Sequence, residues 1–97
     1  MKLGETYVEW NPDKNEWLRK ERSITFDIIL TAIAEGGLLE LRDHPNQTRH
    51  PKQKEFVVVF EEYVYIVPFV EDKEKIFLKT IFPNRTETKK YLKEKTI

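Results

Sequence analysis

Residues 56–82 read FVVVFEEYVYIVPFVEDKEKIFLKTIF, and this stretch decides the fold. β-branched and aromatic residues dominate three runs within it, at positions 56–60, 63–70 and 76–82. Such residues favour strands, and links as short as EE and EDKEK join antiparallel neighbours. The stretch therefore predicts an antiparallel meander. Pro68 has no amide hydrogen to donate, so it should lie near a strand end, at a bulge or on an edge.

A strand and a short helix are predicted near the beginning of the chain. Residues 7–10 are strand-like, and the strand should end at Asn11 and Pro12. Asn11 can cap a helix and Pro12 suits a first helical turn, so a helix should cover residues 13–21. This helix needs an apolar face, which places two tryptophans in the expected core: Trp10 and Trp17.

A second helix, a further strand and a last helix complete the expected elements. Thr25 can cap the second helix, whose apolar residues recur at helical spacing until a glycine pair. These residues are Phe26, Ile29, Leu30 and Ile33, followed by Gly36 and Gly37. Residues 38–42 read as a strand, and Asn84, three positions before Glu87, should open a last helix that reaches about residue 95.

The predicted fold class is α+β, as one domain over residues 1–97. Two helices should come first, then an antiparallel sheet of about four to five strands, then a closing helix. The chain is long enough for one core and too short for a second. We expect Val58, Ile66 and Leu78 in that core.

Composition excludes several classes of site and protein. The chain has no Cys, which removes disulfides, Cys-ligated zinc, iron–sulfur clusters and thiol nucleophiles. The start MKLGETYVEW has no apolar stretch typical of a signal peptide, and no run is long enough to span a bilayer. We therefore expect a cytoplasmic protein that binds no membrane, no metal and no cofactor.

Positive charge is concentrated in two segments, although the formal net charge is zero. The first is the polar stretch 44–54, which contains Arg49 and Lys52 but no acid. The second runs from residue 79 to residue 95, with six bases against two acids. Within its last helix Arg85, Lys89 and Lys93 recur every four residues and would form a basic stripe. Each segment can hold a phosphate backbone. Alternatively, the first segment is only a solvated loop and the second only a solvated helix face.

Two motifs near the ends of the chain resemble the BrnT family of bacterial type II toxins. Residues 8–14, VEWNPDK, followed by ITF at 24–26, are similar to the opening of that family. Residues 85–90, RTETKK, match its Arg-x-x-Thr-Lys-Lys pattern. The chain departs from the family at Arg22 and Ser23, where His-Gly is common, and it matches only loosely over residues 44–54.

The resemblance implies a RelE-like fold, RNA cleavage that inhibits translation, and a protein antitoxin as partner. It also implies a homodimer or a toxin–antitoxin hetero-oligomer as the assembly. Lys14 belongs to the opening motif and would contact RNA, while Arg85 and Lys89 belong to the closing motif.

Metal-independent RNA cleavage needs a base, an acid and cations around the phosphorus atom, and the chain has candidates for each. His50, with His44 as a second candidate, can exchange protons near neutral pH. Arg85 at a helix start can hold a phosphate, and Lys79 interrupts an apolar run and so should face solvent or a cleft. The predicted catalytic set is therefore Arg85, Lys79 and His50. The predicted RNA-binding set is Lys14, Arg49, Lys52, Lys89 and Lys93.

Simpler interpretations stay open for each candidate. The histidines can be exposed loop residues, Arg85 an exposed first-turn arginine, and Lys79 a solvent-facing strand lysine. The chain would then be a small module that binds RNA or an acidic protein without cleavage, with its apolar strands serving dimerisation. A metabolic enzyme is not expected, because no Gly-rich phosphate loop, nucleophile elbow or paired-carboxylate motif is present. Glu61 and Glu62 are adjacent, but within a strand they would point to opposite faces.

Overall fold

The computed structural model describes residues 2–92, with side chains from residue 4 onward. The helices are α1 (Pro12–Arg22), α2 (Phe26–Ala32) and α3 (Arg85–Leu92), and a wider π-helical turn (Ile33–Gly37) continues α2. The strands are β1 (Lys2–Leu3), β2 (Thr6–Trp10), β3 (Leu38–Asp43), β4 (Gln53–Phe60), β5 (Tyr63–Asp72), β6 (Lys75–Leu78) and β7 (Phe82–Pro83). The α+β class is confirmed, and the part of the last helix predicted beyond residue 92 lies outside the described residues.

The strands form one mixed sheet in the order β1-β2-β6-β5-β4-β3, with β7 paired to β5. The meander is antiparallel as predicted, but β2 runs parallel to β6, with Val8 beside Ile76 and Trp10 beside Leu78. The prediction of a wholly antiparallel sheet of four to five strands is therefore wrong. Most of the chain separates β2 from β6, and a connection of that length leaves the direction of pairing open.

A bulge interrupts the strand predicted over residues 76–82. Phe69 pairs with Leu78, and Ile66 pairs with Phe82, so residues 79–81 lie opposite only residues 67–68. The extra residue is a β-bulge, and Pro68 lies opposite it, as its missing amide hydrogen led us to expect. The amide of Lys79 donates to the Pro68 carbonyl at 2.8 Å, and pairing then shifts by one position.

Local signals fix the starts of the helices as predicted. The Asn11 side chain accepts hydrogen bonds from the amides of Asp13 (2.8 Å) and Lys14 (3.2 Å). Thr25 accepts from the Ile28 amide at 3.3 Å, and the Asn84 side chain accepts from the Glu87 amide at 2.9 Å. These bonds satisfy first-turn amides that have no partner within a helix.

The helices cover opposite faces of the sheet. On one face, α1 and α2 enclose the larger core, in which Phe26, Ile29 and Leu30 are buried and Ile33 is partly buried. On the other face, α3 packs over a smaller core of Val57, Val64 and Ile66. The expected core residues Val58, Ile66 and Leu78 are confirmed, since none is more than 1% exposed.

None of the helices in the described residues is both long and apolar enough to cross a membrane.

Candidate functional site

The loop between β3 and β4 brings the two histidines of the chain together. The ring centroids of His44 and His50 lie 4.2 Å apart with an interplanar angle of 36°, and both side chains are half-buried. The His50 amide donates to the Asn46 carbonyl at 2.9 Å, and the His44 amide donates to the Gln53 carbonyl at 2.9 Å. The loop backbone therefore holds the two imidazoles in contact.

A backbone hydrogen bond defines the tautomer of the first imidazole. The Asn46 amide donates to Nδ1 of His44 at 3.0 Å, so a neutral His44 has its hydrogen on Nε2. The Gln47 side chain donates to the carbonyls of both His44 (2.8 Å) and Gln53 (3.1 Å), which closes the base of the loop. His44 is thus oriented by its own loop.

Two predicted RNA-binding cations lie in the same loop. Arg49 and Lys52 are exposed, and residues 44–52 contain no acid. The Arg49 amide is held by the Asn46 side chain at 3.0 Å, while its guanidinium has no ion-pair partner in the described part of the chain. The loop thus joins two proton-exchanging groups with two free positive charges.

Lys79 and Arg85 follow β6 and β7, the two strands that pair with β5 on the side away from β4, so that Lys79 lies at the bulge and Arg85 at the start of α3. Lys79 is exposed, and its Nζ lies 5.9 Å from the centroid of the Phe77 ring. Arg85 is the first residue of α3 and is exposed. Neither forms an ion pair with any residue between positions 4 and 92.

The sheet register separates His50 from Arg85. Gln53, just after the histidine loop, pairs with Val70, whereas the Asn84 amide, next to Arg85, donates to the Val64 carbonyl at 2.9 Å. Six residues of β5 span about 20 Å. An arginine and a histidine side chain cannot span that distance to reach one phosphate, so His50 and Arg85, two of the three predicted catalytic residues, do not converge.

The prediction that Trp17 lies in the core is wrong, because α1 buries mainly Leu18 and leaves the indole 42% exposed. Lys14 Nζ lies 4.1 Å and the Arg22 guanidinium carbon 4.9 Å from the Trp17 ring centroid. Trp10 does pack toward the core, with its ring centroid 5.5 Å from that of Phe26. The RNA-binding candidate Lys14 is therefore part of an aromatic surface cluster.

The remaining candidates are on the last helix. Lys89 is exposed on α3, and Lys93 lies outside the described residues. The Lys90 ammonium lies 5.2 Å from the Tyr91 ring centroid, which the sequence pattern did not indicate.

The sequence reasoning missed an ionic cluster between α3 and the edge strand β3. Arg42 contacts Glu55 at 2.9 Å, Glu87 at 3.1 Å and Glu40 at 3.7 Å, and Glu55 is only 4% exposed. Burial alone would lower the pKa of Arg42, but hydrogen bonds to Glu55 and Glu87 outweigh it and raise that pKa. The alternation of Glu40 and Arg42 along β3 is the only sequence signal, since period two puts them on one face.

No three His, Asp or Glu side chains within the described residues are placed to hold a metal ion together. Comparison with protein-family models, with curated proteins and with solved structures finds no match to this chain.

Proposed function

We propose that this chain is a ribonuclease that cleaves RNA without a metal, as a toxin of the kind its sequence resembles. The contact between His44 and His50, at 4.2 Å between ring centroids, carries the proposal. Two imidazoles held side by side in a basic, acid-free loop supply the acid and the base that this reaction needs.

The reaction follows from the groups in the loop. A neutral imidazole accepts the proton of the RNA 2′-hydroxyl, and the 2′-oxygen attacks the adjacent phosphorus. The P–O5′ bond breaks as the other imidazole, protonated, donates its proton to the leaving 5′-oxygen. The products are a 2′,3′-cyclic phosphate and a free 5′-hydroxyl, and Arg49 and Lys52 stabilise the extra negative charge in the transition state.

The basic residues outside the histidine loop have a different role from the histidines. They are Lys79, Arg85, Lys14 and Lys89. They lie outside the loop and would bind the phosphate backbone of the same RNA, which positions the strand without breaking a bond. Three further parts of the proposal come from the resemblance. They are a cognate antitoxin as partner, a homodimer or hetero-oligomer as the assembly, and a cytoplasmic location.

The test is cleavage of a defined RNA by purified variants, with chelator present throughout. His44→Ala and His50→Ala should each lower the cleavage rate about 10²-fold or more, because each removes one proton-transfer group. Thr48→Ala, an exposed change in the same loop, is the matched control and should retain full activity. Circular dichroism checks the fold, and the product termini identify the cyclic phosphate.

The basic residues around the bulge favour a second candidate, a module that binds RNA without cleaving it. Binding with no cleavage by the unmodified protein would select this candidate. Unchanged cleavage in the doubly substituted histidine variant would reject the histidine mechanism.

A further inference from the structure

The strand β3 forms one edge of the sheet, and part of its backbone points away from the sheet. Within the described residues β3 pairs only with β4. The His44 amide, just after β3, donates to the Gln53 carbonyl at 2.9 Å. Hydrogen-bonded pairs alternate along an antiparallel ladder, so Arg42 and Glu40 bond to β4 as well, and Leu41 does not. The amide and the carbonyl of Leu41 therefore point outward, along what we name the β3 edge, residues 40–43.

The side chain of Leu41 is exposed at this edge. At 55% its exposure is the highest of the large apolar side chains in the described residues, and it lines one cleft with the buried residues Phe56, Phe69 and Ile76. Open edges are commonly protected by Lys, Pro, a bulge or a short strand. The bulge of β3 lies before Glu40, and residues 40–43 contain neither Lys nor Pro. This part of β3 is therefore open to a further strand.

The charges on either side of Leu41 identify which strand fits. Residues 40–42 read Glu-Leu-Arg, an acid and a base on one sheet face with the leucine on the other. When two copies of this strand pair antiparallel about Leu41, Glu40 of each copy lies opposite Arg42 of the other. Pairing about Glu40, Arg42 or Asp43 would instead place two like charges directly opposite each other, which is destabilising. The β3 edge is therefore complementary to a second copy of itself in the register centred on Leu41.

Both charged side chains have atoms left for such a pair. Within the described residues, Tyr91 and Arg42 approach Oε2 of Glu40, and Oε1 has no hydrogen bond. Arg42 uses Nε toward Glu55 and Nη1 toward Glu87, so its Nη2 has no hydrogen bond either. The side chains of Arg42 and Glu40 are 27% and 35% exposed. A guanidinium has five donor hydrogens, so a bond from Nη2 to a second copy leaves the ionic cluster of its own chain intact.

We propose that the β3 edge binds the β3 edge of a second copy of this chain, to form one continuous antiparallel sheet with a two-fold axis at Leu41. The axis makes every contact occur twice, so the two Leu41 residues exchange both backbone hydrogen bonds and Glu40 meets Arg42 on each side. The paired segment is short, so we expect a weak dimer that forms as the protein concentration rises. Of the two assemblies in the proposed function the inference selects the homodimer, and it does not depend on RNA cleavage.

Sedimentation equilibrium of the purified chain, without RNA, tests the interface. The mass of the unmodified protein should rise toward twice the monomer mass over concentrations from about 10 µM to about 1 mM. Leu41→Pro should stay monomeric, because it removes the outward amide and leaves the bonds to β4, and proline is tolerated on an edge strand where the N–H faces solvent. Leu41→Lys keeps the amide but places two ammonium groups opposite each other, and should raise the dimer Kd about tenfold or more. The matched control, Phe77→Lys, adds the same charge at a 37% exposed residue of β6 and should leave the Kd unchanged. Circular dichroism checks the fold of each variant.

Cross-linking through a single thiol tests the register. The chain has no cysteine, so Leu41→Cys introduces one thiol per copy. In the proposed dimer the two Cβ atoms at position 41 lie about 5 Å apart, and a short bifunctional maleimide should join the two copies. Leu38→Cys is the control, because this position is 38% exposed on the same strand but would lie about 20 Å from its counterpart. Cross-linking should therefore be much faster at position 41 than at position 38.

Three outcomes would overturn the proposal. A monomer mass at every concentration would exclude the second copy and leave the β3 edge to a strand of a different protein. A dimer that persists in both Leu41→Pro and Leu41→Lys would show that the two copies meet elsewhere, as would equal cross-linking at positions 41 and 38. Neither experiment contains RNA, so a failed histidine mechanism leaves the dimer result intact, and a failed dimer leaves cleavage by the loop to be judged on its own test.

Discussion

The Tyr91 hydroxyl donates a 2.6 Å hydrogen bond to the Glu40 carboxylate, which ties the last helix to the edge strand of the sheet. The two residues are 51 positions apart in the chain. The bond lowers the pKa of Glu40 and raises the pKa of Tyr91, because it stabilises the charged carboxylate and the neutral phenol.

The first prediction is that this bond makes stability depend on pH at both extremes. The folded-state pKa of Glu40 is lowered, so its contribution is present above about pH 4.5 and is lost as pH falls through the folded pKa. The folded-state pKa of Tyr91 is raised, so its contribution is present below about pH 10 and is lost as pH rises through the folded pKa. Tyr91→Phe should therefore lower the urea midpoint at pH 7 and have a smaller effect at pH 3.

Tyr63→Phe serves as the control for that experiment, since the Tyr63 hydroxyl has no hydrogen bond in the described residues. An equal effect of Tyr91→Phe at both pH values would contradict the assigned role of the carboxylate.

The second prediction concerns the buried ion pair of Arg42 with Glu55. Arg42→Ala leaves Glu55, 4% exposed, without its guanidinium, and should lower the free energy of unfolding by about 3 kcal/mol. Arg19→Ala removes an exposed pair with Glu16 and should cost about 0.5 kcal/mol or less. Urea unfolding at pH 7 measures the free energy of unfolding of both variants. Similar losses of that free energy would refute the distinction between the buried and the exposed ion pair.

The third prediction compares Gly37, at the end of the π-helical turn after α2, with Gly4 between β1 and β2. A Cβ on Gly37 would lie 2.7 Å from the Val59 carbonyl oxygen and 2.8 Å from that of Ala32, and neither backbone atom can move aside cheaply. Gly37→Ala should therefore destabilise the protein by about 1–3 kcal/mol. A Cβ on Gly4 would meet no atom within 4 Å, so Gly4→Ala costs only the strain of a φ of +64°, about 1 kcal/mol. Thermal unfolding should rank Gly37→Ala as the larger change, and the reverse order would show that the contact is relieved by rearrangement.

The fourth prediction follows from the histidine pair. Cleavage needs one neutral and one protonated imidazole, so the cleavage rate should pass through a maximum in pH and fall on both sides. Residual activity in His50→Ala should lose one of the two limbs, since only one of the two proton-transfer groups is left. Initial rates across the pH range with chelator present measure this, and a rate independent of pH in the unmodified protein would exclude acid–base catalysis by the loop.

Sequence alone determined the features that depend on neighbours along the chain. Asn11, Thr25 and Asn84 cap the helices they were expected to cap, because a cap needs only a side chain within three residues of an amide. The antiparallel meander and the burial of Val58 and Leu78 followed from β-rich runs and short links. The position of Pro68 at a bulge is one of the three that its missing amide hydrogen allowed, the others being a strand end and an edge.

Tertiary structure decided everything that depends on which distant segments meet. The parallel pairing of β2 with β6 and the ion pair of Arg42 with Glu87 join residues that local patterns cannot relate. The exposure of Trp17 depends on the rotation of α1 about its own axis relative to the sheet. Only Leu18 is buried on this helix, and the spacing of its apolar residues does not define that rotation. The candidate site divides in the same way: sequence composition predicted a basic histidine loop, and the loop backbone decided that His44 and His50 touch. The register along β5 then placed Arg85 far from them, because pairing is set by side chains packed across the whole sheet.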